Sequence, residues 1–237
     1  MVATAPHRLH VILVPGLFSP RWIMVPMGRF LRSEFDQVRC WDHPTVFGPL
    51  QRSHDALLSH ITNNPPNDPV ALITHSFGDW ITRRVLADLD QQGDHRVSHL
   101  VSLSPVTTSN PAAITIGKLT KDRIPEIAVM RDADRASQCR RIAPHIHHLT
   151  LWSRIDPWVN RCAYLSPQTI EHRVWATHNS INFQPGVWRR VATFLKTHGD
   201  RPRDRTAVRT IANLRRERSE VGMPCPVSRS PLSQTAS

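Results

Sequence analysis

The sequence predicts an α/β protein, a doubly wound and mostly parallel sheet with helices on both faces. Two observations carry this. Short apolar runs alternate with longer stretches of helical period through most of the chain, the order that builds a parallel sheet. The most apolar run, Val70-Ala71-Leu72-Ile73, has no polar alternation, as expected of a strand buried on both faces.

The elements follow in order. Residues 9–14 form the first strand, which ends in the turn Pro15-Gly16-Leu17-Phe18. Residues 21–35 read as one helix, with Ile23, Met27, Phe30 and Leu31 on a single face. A short strand at 37–41 is closed by Asp42-His43-Pro44, and a helix at 53–61 turns Leu57, Leu58 and Ile61 inward. Residues 63–69 are a loop dense in turn formers. After the central strand, Ile81, Val85 and Leu89 recur at every fourth position, which is helix spacing.

Residues 97–103 make another strand, leading to Ser104-Pro105. The stretch 106–143 is irregular, with one helix expected at 124–130. Strands at 147–152 and 171–176 end in Ser153-Arg154-Ile155-Asp156-Pro157 and Thr177-His178-Asn179. A closing helix at 185–196 buries Val187, Trp188, Val191, Phe194 and Leu195, with Pro185 suited to its first turn.

At 237 residues the chain is long enough for one domain with a substantial core. We expect that domain over 1–199, with 106–143 as a small cap. The Arg-, Pro- and Ser-rich tail, 200–237, is expected to be disordered. The net charge of +11 raises the question of a nucleic-acid partner. Eight Arg against four acids in the tail contribute only +4 of it. The rest is scattered, without a basic run interleaved with aromatics, so a solvated basic surface is the reading and no nucleic-acid partner is expected. The four cysteines, Cys40, Cys139, Cys162 and Cys225, form no C-x-x-C pair, so neither a zinc site nor a disulfide framework is signalled. No transmembrane segment and no leader-type apolar run is visible, which points to a cytoplasmic protein.

The chemistry centres on Thr74-His75-Ser76-Phe77-Gly78. The run matches the nucleophile elbow G-x-S-x-G, with Thr74 at the first glycine position. A serine between a central strand and the following helix has its hydroxyl lifted above the sheet, where a nearby base makes it a nucleophile. A plain helix cap at Ser76 is the competing explanation. The other strand ends decide against it. Asp156 and His178 each follow a later strand, and Ser…Asp…His is the chain order this arrangement requires. His178 would take the serine proton, Asp156 would hold the imidazole, and the backbone N–H groups of Leu17 and Phe77 would stabilise an oxyanion, at about 3 kcal/mol per donor. His147, His148 and His172 sit at the start of their strands, the wrong edge. Asp156 in an ordinary Asx turn is its bland alternative, with Asp132 and Asp134 as reserve acids. Phe18, Trp80 and Trp158 flank the site and either line an acyl pocket or belong to the core.

These motifs resemble a minimal α/β-hydrolase, similar to small bacterial lipases and esterases, over roughly residues 9–199. Leu13-Val14-Pro15-Gly16-Leu17 resembles the family's oxyanion loop, where His-Gly is usual at positions 15 and 16. Cys40-Trp41-Asp42-His43-Pro44-Thr45 resembles the N/W-x-Y-P-S run of one lipase-like subset. Thr74-His75-Ser76-Phe77-Gly78 resembles that subset's T-H-S-x-G elbow, and Ala176-Thr177-His178 with the closing helix resembles its ending. The resemblance implies a compact sheet of about six strands and a serine hydrolase acting on a small-molecule carboxylic ester through an acyl-enzyme, with no metal or cofactor. A thioesterase or acyltransferase on the same residues, or a catalytically silent hydrolase-like binding protein, is the alternative. Three departures support the last: Pro15, Thr74 and Asp79. A carboxylate at Asp79 suits the helix dipole but would set negative charge near the oxyanion hole, slowing acyl transfer or favouring a cationic substrate.

Overall fold

The computed structural model describes residues 9–199 except 18, 20, 42–47 and 121–122. The chain divides after Asp200. The predicted tail, Phe18 and the Asp42-His43-Pro44-Thr45 run therefore lie outside the described residues.

Six parallel strands form one sheet in the order β2-β1-β3-β4-β5-β6. They are β1 (His10–Val14), β2 (Gln37–Cys40), β3 (Val70–His75), β4 (Val97–Leu103), β5 (His147–Ile155) and β6 (Ile170–Thr177). Side chains of a strand alternate between its two faces, and the sequence uses both. Ile12, Val14, Val70 and Leu72 enter one core with Leu57 and Ile61 of α2 (Leu50–Thr62) and Ile81, Val85 and Leu89 of α3 (Phe77–Gln91). Val11, Leu13, Ala71 and Ile73 enter the other, with Met27 and Leu31 of α1 (Val25–Leu31) and Val187, Val191 and Leu195 of α7 (Pro185–Gly199). All six residues of β3 are buried, so its unbroken apolar run is the cost of sitting between two cores. Each such Leu or Ile contributes about 1.5–3 kcal/mol on leaving water.

Three expectations need correction. The predicted helix at 21–35 is a 3-10 turn, Arg21–Met24, followed by α1. Pro26 explains the break: it lacks the N–H that would continue a helix begun at Arg21, but is tolerated in the first turn of a new one. The stretch 106–143 holds three helices, α4 (Pro111–Thr120), α5 (Pro125–Met130) and α6 (Ala133–Ala136), where one was expected. Leu119 of α4 is exposed, and the helix lacks the clean apolar stripe that would announce it. Cys139 is disulfide-bonded, which its wide separation from the other cysteines does not signal.

Beneath the β3–α3 junction lies a buried polar cluster. The Asp79 carboxylate accepts from Arg83 Nε at 2.9 Å, Tyr164 Oη at 2.6 Å, Ser102 Oγ at 2.6 Å and Thr74 Oγ1 at 3.1 Å. Arg83 also donates to the carbonyls of Val106 at 2.6 Å, Ala136 at 3.2 Å and Gln138. It thereby ties both ends of the 106–143 stretch to α3. His148 completes the cluster, with Nε2 3.0 Å from Ser102 Oγ and Nδ1 3.0 Å from Thr169 Oγ1. Burial lowers its pKa to about 4, so it is neutral near pH 7. Burial, with the adjacent Asp79 charge, raises the Tyr164 pKa well above the usual range and keeps the phenol a donor.

Two predictions follow from this packing. Asp79→Asn keeps the shape but strands the Arg83 guanidinium without an anion, and should cost about 3–5 kcal/mol in urea unfolding; a loss below about 1 kcal/mol would contradict the assignment. Glu126 of α5 is fully buried, and neither carboxylate oxygen has a hydrogen-bond partner among the described residues. Desolvation raises its pKa from 4.5 to about 7. The folded state therefore holds a proton that the unfolded state releases, and stability falls as pH rises from 4.5 toward 7. Glu126→Gln should stabilise by roughly 2 kcal/mol above pH 7 and by almost nothing below pH 4.5, measured by denaturation at both pH values.

Candidate active site

Ser76 is the single residue between β3 and α3, at φ 54 and ψ −124. A positive φ is unfavourable for a residue with a Cβ. Here the Ser76 amide donates to the Leu103 carbonyl at 3.0 Å, and its carbonyl accepts from Asp79 N at 3.1 Å and Val106 N at 3.4 Å. Ser76 makes no side-chain capping bond to α3, so the helix-cap explanation does not hold.

Two glycines make room for this turn. A Cβ on Gly78 would stand 2.3 Å from the Pro15 carbonyl oxygen and 2.7 Å from that of Val14. A Cβ on Gly16 would stand 2.8 Å from Ser76 Cβ and 2.9 Å from the His75 carbonyl oxygen. The loop after β1 is thus packed directly against the serine. Phe77 opens α3 immediately after Ser76.

The sheet brings the three predicted side chains together. Ser76 Oγ lies 2.9 Å from His178 Nε2, and His178 Nδ1 lies 2.8 Å from Asp156 Oδ2. The assignment consistent with both contacts has Nδ1–H donating to the carboxylate, leaving Nε2 to accept from the hydroxyl. The other oxygen of Asp156 accepts from the backbone N–H of Trp158 at 2.9 Å and Val159 at 3.0 Å. The Asx turn anticipated as its bland alternative is present, and it aims Oδ2 at the imidazole. A hydroxyl, imidazole and carboxylate so linked can deprotonate the serine as it attacks and hold the imidazolium that results.

His75 adds a contact that sequence reasoning missed. Its Nε2 lies 2.9 Å from the backbone oxygen of His178, and the two rings are 4.9 Å apart. Burial and the neighbouring His178 lower its pKa to about 3, so it stays a neutral donor and anchors the loop that carries His178. Its place in the elbow, one residue before Ser76, was the available signal.

The remaining predicted residues separate. Trp80 is core: it stacks on Phe77 at 5.2 Å, and its Nε1 donates to the Arg135 carbonyl at 2.8 Å. Trp158 is 43% exposed and adjoins Asp156, while Leu17 is partly buried against the core. Asp132 caps α6 through Asp134 N and Arg135 N and takes no part in the serine–histidine contact. Thr74 and Asp79, two of the departures, are partners: the Thr74 hydroxyl turns away from Ser76 and bonds the Asp79 carboxylate. That carboxylate is fully buried and neutralised by Arg83, so it neither serves a cationic substrate nor stands open to the site.

No family model matches the chain, and no curated protein does. Solved structures match through the fold. The metagenome-derived lipolytic enzymes LipS and LipT are similar at 12% identity and a TM-score of 0.62, over 82% of this chain and 96% of that one. The ydeN gene product of B. subtilis gives 15% identity and a TM-score of 0.56, over 80% and 99%. The RedJ thioesterase of the prodiginine biosynthetic pathway in Streptomyces coelicolor gives 17% identity and a TM-score of 0.52, over 81% and 92%. With the six-stranded parallel sheet and the sharp β3–α3 elbow, these neighbours show that the chain has the α/β-hydrolase fold.

Proposed function

We propose that the protein is a serine hydrolase that cleaves carboxylic esters through an acyl-enzyme, with residues 1–199 as its hydrolase domain. The observation that carries the proposal is the pair of contacts from Ser76 Oγ to His178 Nε2 and from His178 Nδ1 to Asp156 Oδ2, at 2.9 and 2.8 Å. Neighbours described as lipolytic enzymes and as a thioesterase support acyl transfer as the reaction class.

In this reading Ser76 Oγ attacks the acyl carbon while His178 Nε2 takes its proton. The carbonyl π electrons move onto oxygen, and the backbone N–H groups of Leu17 and Phe77 donate to the oxyanion. Collapse expels the alcohol, which takes the proton from His178. Water then repeats the sequence on the acyl-enzyme, with His178 again base and then acid. Asp156 keeps the imidazole in one tautomer and stabilises its charged form throughout. Trp158, exposed and two residues after Asp156, would in this reading meet the acyl or alcohol part of a substrate. A thioester substrate runs through the same steps, with a thiol as leaving group.

The test is steady-state kinetics on matched p-nitrophenyl esters and acyl thioesters. Ser76→Ala and His178→Ala should each lower kcat by about 10⁶-fold, and Asp156→Asn by about 10⁴-fold, with KM little changed. The ratio of kcat/KM between the two series assigns ester or thioester preference. A well-folded native protein inactive on both series would instead support a silent hydrolase-like binder.

A further inference from the structure

A second cluster of chemically capable side chains lies at the opposite end of the sheet from Ser76. We propose that Asp90, His95 and His145 form a binding site for a divalent transition-metal ion of the zinc class. One ligand atom from each residue lies within 4.8 Å of the other two, and the rings of His95 and His145 meet at 4.3 Å. Donors bound about 2.1 Å from a tetrahedral zinc ion stand about 3.4 Å apart. Binding therefore draws the donors together by up to about 1.4 Å, through rotation of the two imidazoles and the carboxylate about their side-chain bonds.

The backbone explains why residues so distant in sequence converge. α3 ends in a Schellman motif: Gly93 N donates to the Asp90 carbonyl at 3.1 Å and Asp94 N to the Leu89 carbonyl at 2.8 Å. Gly93 at φ 71 makes the reversal. His95 is thereby folded back beside the last turn of α3, which carries Asp90. His145 arrives by strand pairing. The parallel register sets His99 opposite His147, so the segments leading into β4 and β5 reach the same sheet edge together. Each of the three residues is half-buried, which combines a shaped site with access from water.

The donor set selects the ion. Two imidazoles and one carboxylate suit zinc, nickel or copper and disfavour magnesium or calcium, which prefer all-oxygen sites. The nearby Arg96 guanidinium is already engaged, donating to Asp94 at 2.7 Å and to the carbonyls of Thr62 and Asn64 at 2.9 Å. A bound ion would join the end of α3 to the segment entering β5, and would touch none of the residues at Ser76.

The test uses tag-free full-length protein stripped with a chelator, titrated calorimetrically with zinc chloride and separately with magnesium chloride. Zinc should bind at one-to-one stoichiometry and magnesium should not. The double variant His95→Gln/His145→Gln should weaken zinc binding at least about tenfold, whereas His178→Ala should leave it unchanged. No zinc binding by the native protein, or a smaller loss in a folded double variant, overturns the proposal. If the double variant fails to fold, imidazole NMR of the native protein decides. The resonances of His95 and His145 should shift together with zinc, and shifts confined to other histidines overturn the proposal.

Discussion

Ser76 must end a central strand and begin a helix within one residue, and the fold around it is arranged to permit that turn. A backbone at φ 54 on a residue with a Cβ costs about 1–2 kcal/mol. It persists because the surroundings leave no alternative. β3 is buried on both faces, α3 is packed by Ile81, Val85 and Leu89, and the β1 loop presses against the junction at two positions where no Cβ fits. The strain lifts the hydroxyl clear of the sheet into contact with His178. Structure and candidate chemistry thus share one constraint, close approach between the end of β1 and the start of α3.

The polar cluster under this turn explains how an apparently irregular site holds together. Replacing an elbow glycine by Thr74 adds a hydroxyl to a buried place, and Asp79 adds a carboxylate. Alone, either would be an unsatisfied buried group costing a few kcal/mol. Together with Arg83, Tyr164 and Ser102 they satisfy one another. Because Arg83 also holds carbonyls toward both ends of the 106–143 stretch, the same cluster seats that stretch on the elbow helix. Asp79 reads as a defect only while its partners are out of view.

That contrast marks what was legible in the sequence. Strands and their order could be read because residues buried on both faces must be apolar without interruption, as at Val70 to Ile73. Ser76, Asp156 and His178 could be read because strand ends in a parallel sheet share one edge, so position along the chain stands in for position in space. The role of Asp79 could not, since Tyr164 lies 85 residues away and no local pattern links the two. The helices of 106–143 were blurred for a related reason. They are short, α4 and α5 begin with proline, and α6 is held through its carbonyls by Trp80 and Arg83 rather than marked by its own periodicity. His75 was visible in the motif, but its bond to the His178 backbone depends on the β6 loop arriving beside it.

In the proposed mechanism Ser76 is an activated nucleophile, not merely a strained turn residue. The most direct measurement is covalent labelling with a fluorophosphonate, followed by mass mapping of the modified peptide. A serine activated by His178 should give one adduct per chain, on Ser76, formed in native protein and absent in His178→Ala even though the serine remains. Well-folded native protein that takes no label, or labels equally without His178, would contradict it.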